Sequence, residues 1–268
     1  MRKFFYILLL LFVSALAQAQ MNCTFTHYSQ ENGLSENSVM DMVQDHDGMI
    51  WFATWDGINR FNGYDFKVYK ARKENDMRWS SNRVDHLQGD KYGDVWCITY
   101  DGKAFRFDKR MEAFTEVAAN GAEKDLVITS ILPLDNGTVW LLTDKNGGIR
   151  VVPDRKTGTL ASKVYLSNAS KEKGTAIKTV FLDKKNREWL LTKDGLLCIE
   201  GNNGKQTPFF VNTHPESGRP NQSFFSAAFV NGHVYFTSNK GRVWKYSLKD
   251  ETFELKDLGL QDDVISIW

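Results

Sequence analysis

One aromatic register constrains this chain more than any other feature. Trp51, Trp96, Trp140, Trp189 and Tyr235 stand 45, 44, 49 and 46 residues apart, and four of the eight tryptophans fall on it. A turn follows each time: Asp56-Gly57, Asp101-Gly102, Asn146-Gly147, Asp194-Gly195 and a weaker Lys240-Gly241. Twelve residues ahead of the tryptophans stand Val39, Val84, Ile128 and Ile177. All are β-branched, as the start of a buried strand requires. Asp-Gly between short apolar runs marks a hairpin, because both residues tolerate positive φ. The first copy then reads as strands Val39–Val43, Ile50–Thr54 and Ile58–Phe61, with an outer strand at Phe66–Tyr69.

A period in the middle forties with four strands per unit predicts an all-β chain folded as a β-propeller. One such sheet cannot bury both faces, whereas sheets stacked around an axis can. Trp51, Trp96, Trp140 and Trp189 are therefore expected between blades, each with an acceptor for its indole N–H. Blade repeats are expected near 35–70, 80–118, 125–167, 174–212 and 222–256, with 262–268 opening a sixth. The expected fold is thus an incomplete β-propeller, five four-stranded blades plus the start of another. The fourth strands of blades three and four are placed at Val164–Leu166 and Phe209–Val211, and blade five is begun at Ser226.

The run Tyr28-Ser29-Gln30-Glu31-Asn32-Gly33-Leu34-Ser35, followed by Asp45-His46-Asp47-Gly48-Met49-Ile50-Trp51-Phe52-Ala53-Thr54-Trp55-Asp56-Gly57, resembles the two-component regulator propeller repeat. The likeness is close in the first two copies and looser afterwards. It implies the periplasmic sensor region of a hybrid two-component system, similar to glycan sensors of Gram-negative bacteria. It also implies a seven-bladed ring closed by an N-terminal strand, here Thr24–Tyr28. A second propeller, a further β domain, a membrane helix, a histidine kinase and a receiver would follow. None of these lies within the sequence, so a fragment is expected. By the same resemblance the partners are an oligosaccharide ligand, the missing propeller and kinase portions of the polypeptide, and a second copy in a full-length, inner-membrane-anchored homodimer.

Met1–Gln20 has the pattern of a cleaved signal peptide: Arg2-Lys3, an apolar run Phe4–Val13, then small residues at Ala15, Ala17 and Ala19. The apolar run is short for a spanning helix. An exported chain, residues 21–268, is expected. The net charge of +1, without a long basic run, disfavours nucleic acid as a partner. Three cysteines cannot all pair, and Cys97 and Cys198 fall in strands of blades two and four, so buried free thiols are expected.

Motifs for chemistry are weak. Asp45-His46-Asp47-Gly48 opens like a calcium loop but lacks Gly at the sixth position and Glu at the twelfth. Gly201-Asn202-Asn203-Gly204-Lys205 has the wrong spacing for a phosphate loop. The five histidines show no zinc spacing. No nucleophile–base pair can be assembled. The expectation is a non-enzymatic binding module with no cofactor or metal. The alternatives are a secreted polysaccharide lyase or hydrolase, and an envelope-assembly scaffold.

Function on rigid β scaffolds lies in loops. On a propeller, the links between strands two and three and between blades share one face. Residues that break the repeat there are Trp55 and Tyr100 before the Asp-Gly turns, Trp79, Asn82, Arg83 and Asp85 at the link to blade two, and His214, Arg219 and Asn221 at the link to blade five. Trp55, Trp79, Arg83 and Tyr100 are the candidate contacts to a glycan or to a second propeller. The competing reading has Trp55 and Tyr100 capping the core from its rim.

Overall fold

The computed structural model describes residues 24–71, 81–118, 126–167, 174–201, 204–210 and 222–266. The expected leader Met1–Gln20, Cys23, Trp79, His214, Arg219 and Asn221 lie outside the described residues. Blade one comprises β1 (Val39–Gln44), β2 (Ile50–Thr54), β3 (Gly57–Phe61) and β4 (Phe66–Tyr69). Blade two comprises β5 (Val84–Gly89), β6 (Val95–Thr99), β7 (Ala104–Asp108) and β8 (Ala113–Glu116). Blade three comprises β9 (Ile128–Pro133), β10 (Val139–Thr143), β11 (Gly148–Pro153) and β12 (Leu160–Tyr165). Blade four comprises β13 (Ile177–Leu182), β14 (Glu188–Thr192), β15 (Gly195–Glu200) and β16 (Lys205–Phe209). Blade five comprises β17 (Phe224–Val230), β18 (His233–Ser238), β19 (Arg242–Ser247) and β20 (Phe253–Asp257).

Each blade is an antiparallel meander in chain order. The first strands of consecutive blades touch, β1 on β5, β5 on β9 and β13 on β17, so they run nearest the axis. Every repeated tryptophan is fully buried and packs against the next blade. Trp51 sits among Val84, Leu87 and Phe107, and Trp96 among Ile128, Val139 and Ile149. Trp140 sits among Ile177, Val180 and Leu190, and Trp189 among Phe224, Phe236 and Tyr246. An indole burying about 200 Å² fills the wedge that two twisted sheets leave between them.

The turn glycines are fixed by space as well as by φ. A Cβ on Gly57 would meet the Tyr69 carbonyl oxygen at 2.5 Å, and one on Gly147 would meet that of Tyr165 at 2.5 Å. Both have positive φ, 113° and 88°. In each case the outer strand and the link to the next blade pass directly over the turn, where the Gly57 N–H donates to Asn82 O and the Gly147 N–H to Thr175 O.

Several elements differ from expectation. β12 and β16 begin earlier than Val164 and Phe209, because an outer strand is half exposed and its polar residues, as in Lys205-Gln206-Thr207, carry no apolar signal. β17 begins at Phe224, a buried aromatic standing where the other blades use Val or Ile. Thr24–Tyr28 is not in a strand. Its Tyr28 ring is held instead on blade one, edge-on to Phe61 at 4.9 Å and Phe66 at 5.8 Å. Asp263–Ser266 runs on without pairing into a sheet, tied back to the blade-five turn by the Lys240 N–H donating to Asp263 at 2.9 Å.

Candidate ligand-binding face

The repeated polar residues hold the frame. Six residues before three of the tryptophans stands an aspartate that accepts the buried indole N–H: Asp45 from Trp51 at 2.9 Å, Asp90 from Trp96 at 3.3 Å and Asp183 from Trp189 at 2.9 Å. The same carboxylates cap the first hairpin turn, as Asp45 does by accepting from the backbone N–H of Asp47 and Met49. Three residues after each register aromatic stands a hydroxyl that bonds the second turn. Thr54 donates to Gly57 O, Thr99 to Lys103 O, Thr143 to Gly147 O, Thr192 to Gly195 O and Ser238 to Arg242 O. Of the turn acids, Asp56 accepts from Lys70 and Asn82, Asp101 shares the single Thr99 hydroxyl proton with Lys103 O, and Asp194 accepts from the hydroxyl of Thr175. Asn82, read from sequence as a possible contact, is thereby tied into the frame. Gly102 belongs to the same set, since a Cβ there would lie 2.6 Å from Val127, while Gly195 has φ 146°.

Blade three breaks the pattern. Leu134 stands where the aspartate should be, and the Trp140 indole donates to Glu188 of blade four at 2.8 Å. Glu188 occupies the place of Ile50, Val95 and Val139, yet it is 1% exposed. It also accepts two bonds from Arg150, each 2.8 Å, and one from Asn136 at 3.0 Å. Burial works to raise the Glu188 carboxyl, but the bonded Arg150 guanidinium outweighs it and holds the group below its ordinary value. A cleft of about 300 Å³ borders this pair, lined by Asn136, Thr138, Arg155 and Asn186 on the side of the first hairpin turns.

The opposite face carries the unrepeated residues. Arg83 lies between two exposed rings, its guanidinium carbon 5.3 Å from the Trp55 centroid and 4.2 Å from that of Tyr100. Its Nε donates to Asp85 at 3.0 Å, which fixes the stack. Trp55 is 53% exposed and Tyr100 63%, so neither ring is buried in the core. The structure thus brings Trp55, Arg83 and Tyr100 together across blades one and two.

Sequence reading missed a second feature of this face. The ladder between first and second strands slips at the same place in all five blades, leaving one extra residue on the first strand. These bulge residues are Met40, Asp85, Thr129, Lys178 and Phe225. A bulge kinks the strand and re-aims its extra side chain. The Met40 sulfur lies 2.9 Å from the Trp55 indole nitrogen, Asp85 holds Arg83, and the Lys178 ammonium sits 3.5 Å from the centroid of the Phe225 ring. Beside the bulges of blades one to three runs a groove of about 240 Å³ lined by Asp41, His86, Gln88, Thr129 and Ser130. No shared sequence signal marks them, since Met40, Asp85, Thr129, Lys178 and Phe225 have neither charge nor polarity in common. Among the described residues no group of three or more His, Cys, Asp or Glu is placed to hold a metal.

Fold and face together define a β-propeller whose repeated residues build the frame and whose variable residues crowd one end of it. Residues 33–56, from the Gly33 cap to the Asp56 turn, match the family model described as the two component regulator propeller. That stretch carries one copy of the repeat that the model describes. The chain is 38% identical over 71 residues to histidine kinase P4 of Formosa agariphila, covering 26% of this chain and 5% of that protein. Among solved structures it is similar to the extracellular domain of BT3049 from B. thetaiotaomicron, described as a hybrid two component system. That match has a TM-score of 0.43 and 17% identity, over 90% of this chain and 37% of that one. It is also similar to the computationally designed Ika8 protein, with a TM-score of 0.51 and 14% identity, over 86% of this chain and 64% of that one. The chain therefore spans a small part of the kinase that it matches. Among the described residues no helix is long and apolar enough to cross a membrane.

Proposed function

We propose that the chain is a non-enzymatic, ligand-sensing propeller of a two-component signalling protein, exported to the periplasm, and that it takes an oligosaccharide on the face that carries the bulges. The observation that carries this reading is the Trp55–Arg83–Tyr100 stack, exposed and braced by Asp85. Sugar rings present C–H faces to aromatic side chains and hydroxyls to fixed polar groups. Trp55 and Tyr100 supply the first kind of surface. Arg83, Asp85 and the groove residues Asp41, Gln88 and Ser130 supply the second. An arginine already held by two rings and a carboxylate loses little rotamer freedom on binding, which favours affinity. Signalling is then a population shift: ligand that binds one arrangement of the propeller and its neighbours better biases the attached kinase. The matches to the regulator repeat and to a histidine kinase support this assignment.

The test is calorimetric titration of the full chain with a panel of neutral and acidic oligosaccharides. Trp55→Ala, Trp79→Ala, Arg83→Ala and Tyr100→Ala are compared with Arg155→Ala on the opposite side. The expected result is at least a tenfold loss, about 1.4 kcal/mol, in the Trp55, Arg83 and Tyr100 variants, with Arg155→Ala unaffected. Unchanged affinity in all the face variants overturns the reading.

A further inference from the structure

Five bulges at one register position place five side chains at equivalent points around the axis. Four of them touch one another or the stack beside them: Met40 meets Trp55 of its own blade, Asp85 holds Arg83, and Lys178 of blade four lies on Phe225 of blade five. The last contact joins two consecutive bulges across a blade boundary.

The charges at the bulges are not alike. Arg83 is neutralised by Asp85 at 3.0 Å. Lys178 makes no ion pair among the described residues. Its ammonium donates to the Ser223 hydroxyl at 3.2 Å and rests on the Phe225 ring, both neutral partners. Asp263 attracts it through space without an ion pair, and accepts a bond from the Lys240 N–H. A hydroxyl and a ring face position a cation without cancelling its charge, and leave its outward side for an anion.

From this geometry we infer that the bulge residues form one ligand mouth, and that Lys178, positioned by Phe225 and Ser223, seats a carboxylate or sulfate of an acidic oligosaccharide whose sugar rings reach the Trp55–Arg83–Tyr100 stack. The inference rests on the proposed glycan-binding role and names the ligand class. Burial draws the Lys178 ammonium below its ordinary value, against the pull of Asp263, and a bound anion reverses that shift.

The experiment titrates the full chain with tetragalacturonate, with a sulfated chondroitin tetrasaccharide and with neutral maltotetraose, at two salt concentrations. Lys178→Met keeps an apolar stem against Phe225 while removing the charge. Lys178→Arg keeps the charge, and Lys249→Met removes an exposed lysine elsewhere on blade five. The expected result is salt-sensitive binding of an acidic tetrasaccharide, weakened at least tenfold in Lys178→Met and largely kept in Lys178→Arg and Lys249→Met. Equal binding by wild type and Lys178→Met, or equal losses in Lys178→Met and Lys249→Met, overturns the inference. Binding of maltotetraose alone, lost in Arg83→Ala, overturns the anion seat while the sensor reading stands. No binding of any of the three overturns both.

Discussion

The indole N–H of Trp140 donates to Glu188 across a blade boundary, at 2.8 Å. In blades one, two and four the acceptor is an aspartate of the same blade. Blade three has lost that aspartate to Leu134, and blade four makes good the loss with a buried carboxylate that also binds Arg150 through both oxygens. Removing one partner of a buried, fully bonded pair leaves the other charge uncompensated. Glu188→Ala is therefore expected to lower unfolding free energy by about 3–5 kcal/mol in urea titration. Adding Leu134→Asp to Glu188→Val, which restores the arrangement of the other blades, recovers part of that loss. A cost below about 1 kcal/mol for Glu188→Ala, the level of an exposed pair such as Arg60–Glu112, contradicts this account.

The same carboxylate predicts an acid limit. Its proton affinity is depressed in the folded state, with burial opposing and Arg150 prevailing. Its contribution is present above the unfolded glutamate value and lost as pH falls through the lower folded one. The stability difference between wild type and Glu188→Gln should be level from about pH 7 to pH 5 and shrink below about pH 4. Urea midpoints of both proteins across that range check it, and a difference that grows on acidification contradicts it.

Two glycines with similar φ separate strain from crowding. Gly57 has φ 113° with the Tyr69 carbonyl 2.5 Å from a built Cβ, whereas Gly63 has φ 98° and nothing within 4 Å. Gly63→Ala is expected to cost about 1 kcal/mol, the strain of a left-handed alanine. Gly57→Ala should cost clearly more, because the outer strand must shift. Denaturation midpoints give the order, and equal midpoints contradict it.

The two buried thiols should be silent in the native protein. Burial pushes Cys97 above its ordinary value and Cys198 up to about 12, leaving little thiolate for reaction. In a Cys23→Ser background, a chromogenic disulfide reagent at pH 8 is expected to find no reactive thiol in folded protein and two equivalents in urea. Fast labelling without denaturant contradicts the packing described for blades two and four.

The frame was legible because it repeats. Trp51, Trp96, Trp140 and Trp189 announce the period, and their burial between blades follows from size and spacing alone. The need for an indole acceptor was legible but its identity was not drawn from the sequence, although Asp45, Asp90 and Asp183 stand at one offset; Glu188 left no such pattern. It contacts Trp140 through space, 48 residues on, from a position where the other blades carry an apolar residue. Outer strands such as β16 were misplaced because a half-exposed strand has no apolar alternation to show. The joining of Trp55 with Arg83 and Tyr100 was half visible: the residues stood out as breaks in the repeat, but their stacking depends on how two blades meet. The bulges were hidden, since one extra residue in a six-residue strand leaves the period unchanged.

The central claim is that ligand meets this propeller at the bulges and not at the opposite turns. Hydrogen exchange read by mass spectrometry, with and without saturating acidic tetrasaccharide, tests it most directly. Protection confined to residues 38–41, 83–86, 127–130, 176–179 and 223–226 is the predicted result. Protection centred on the first hairpin turns, residues 45–48, 90–93, 135–138 and 183–186, contradicts it.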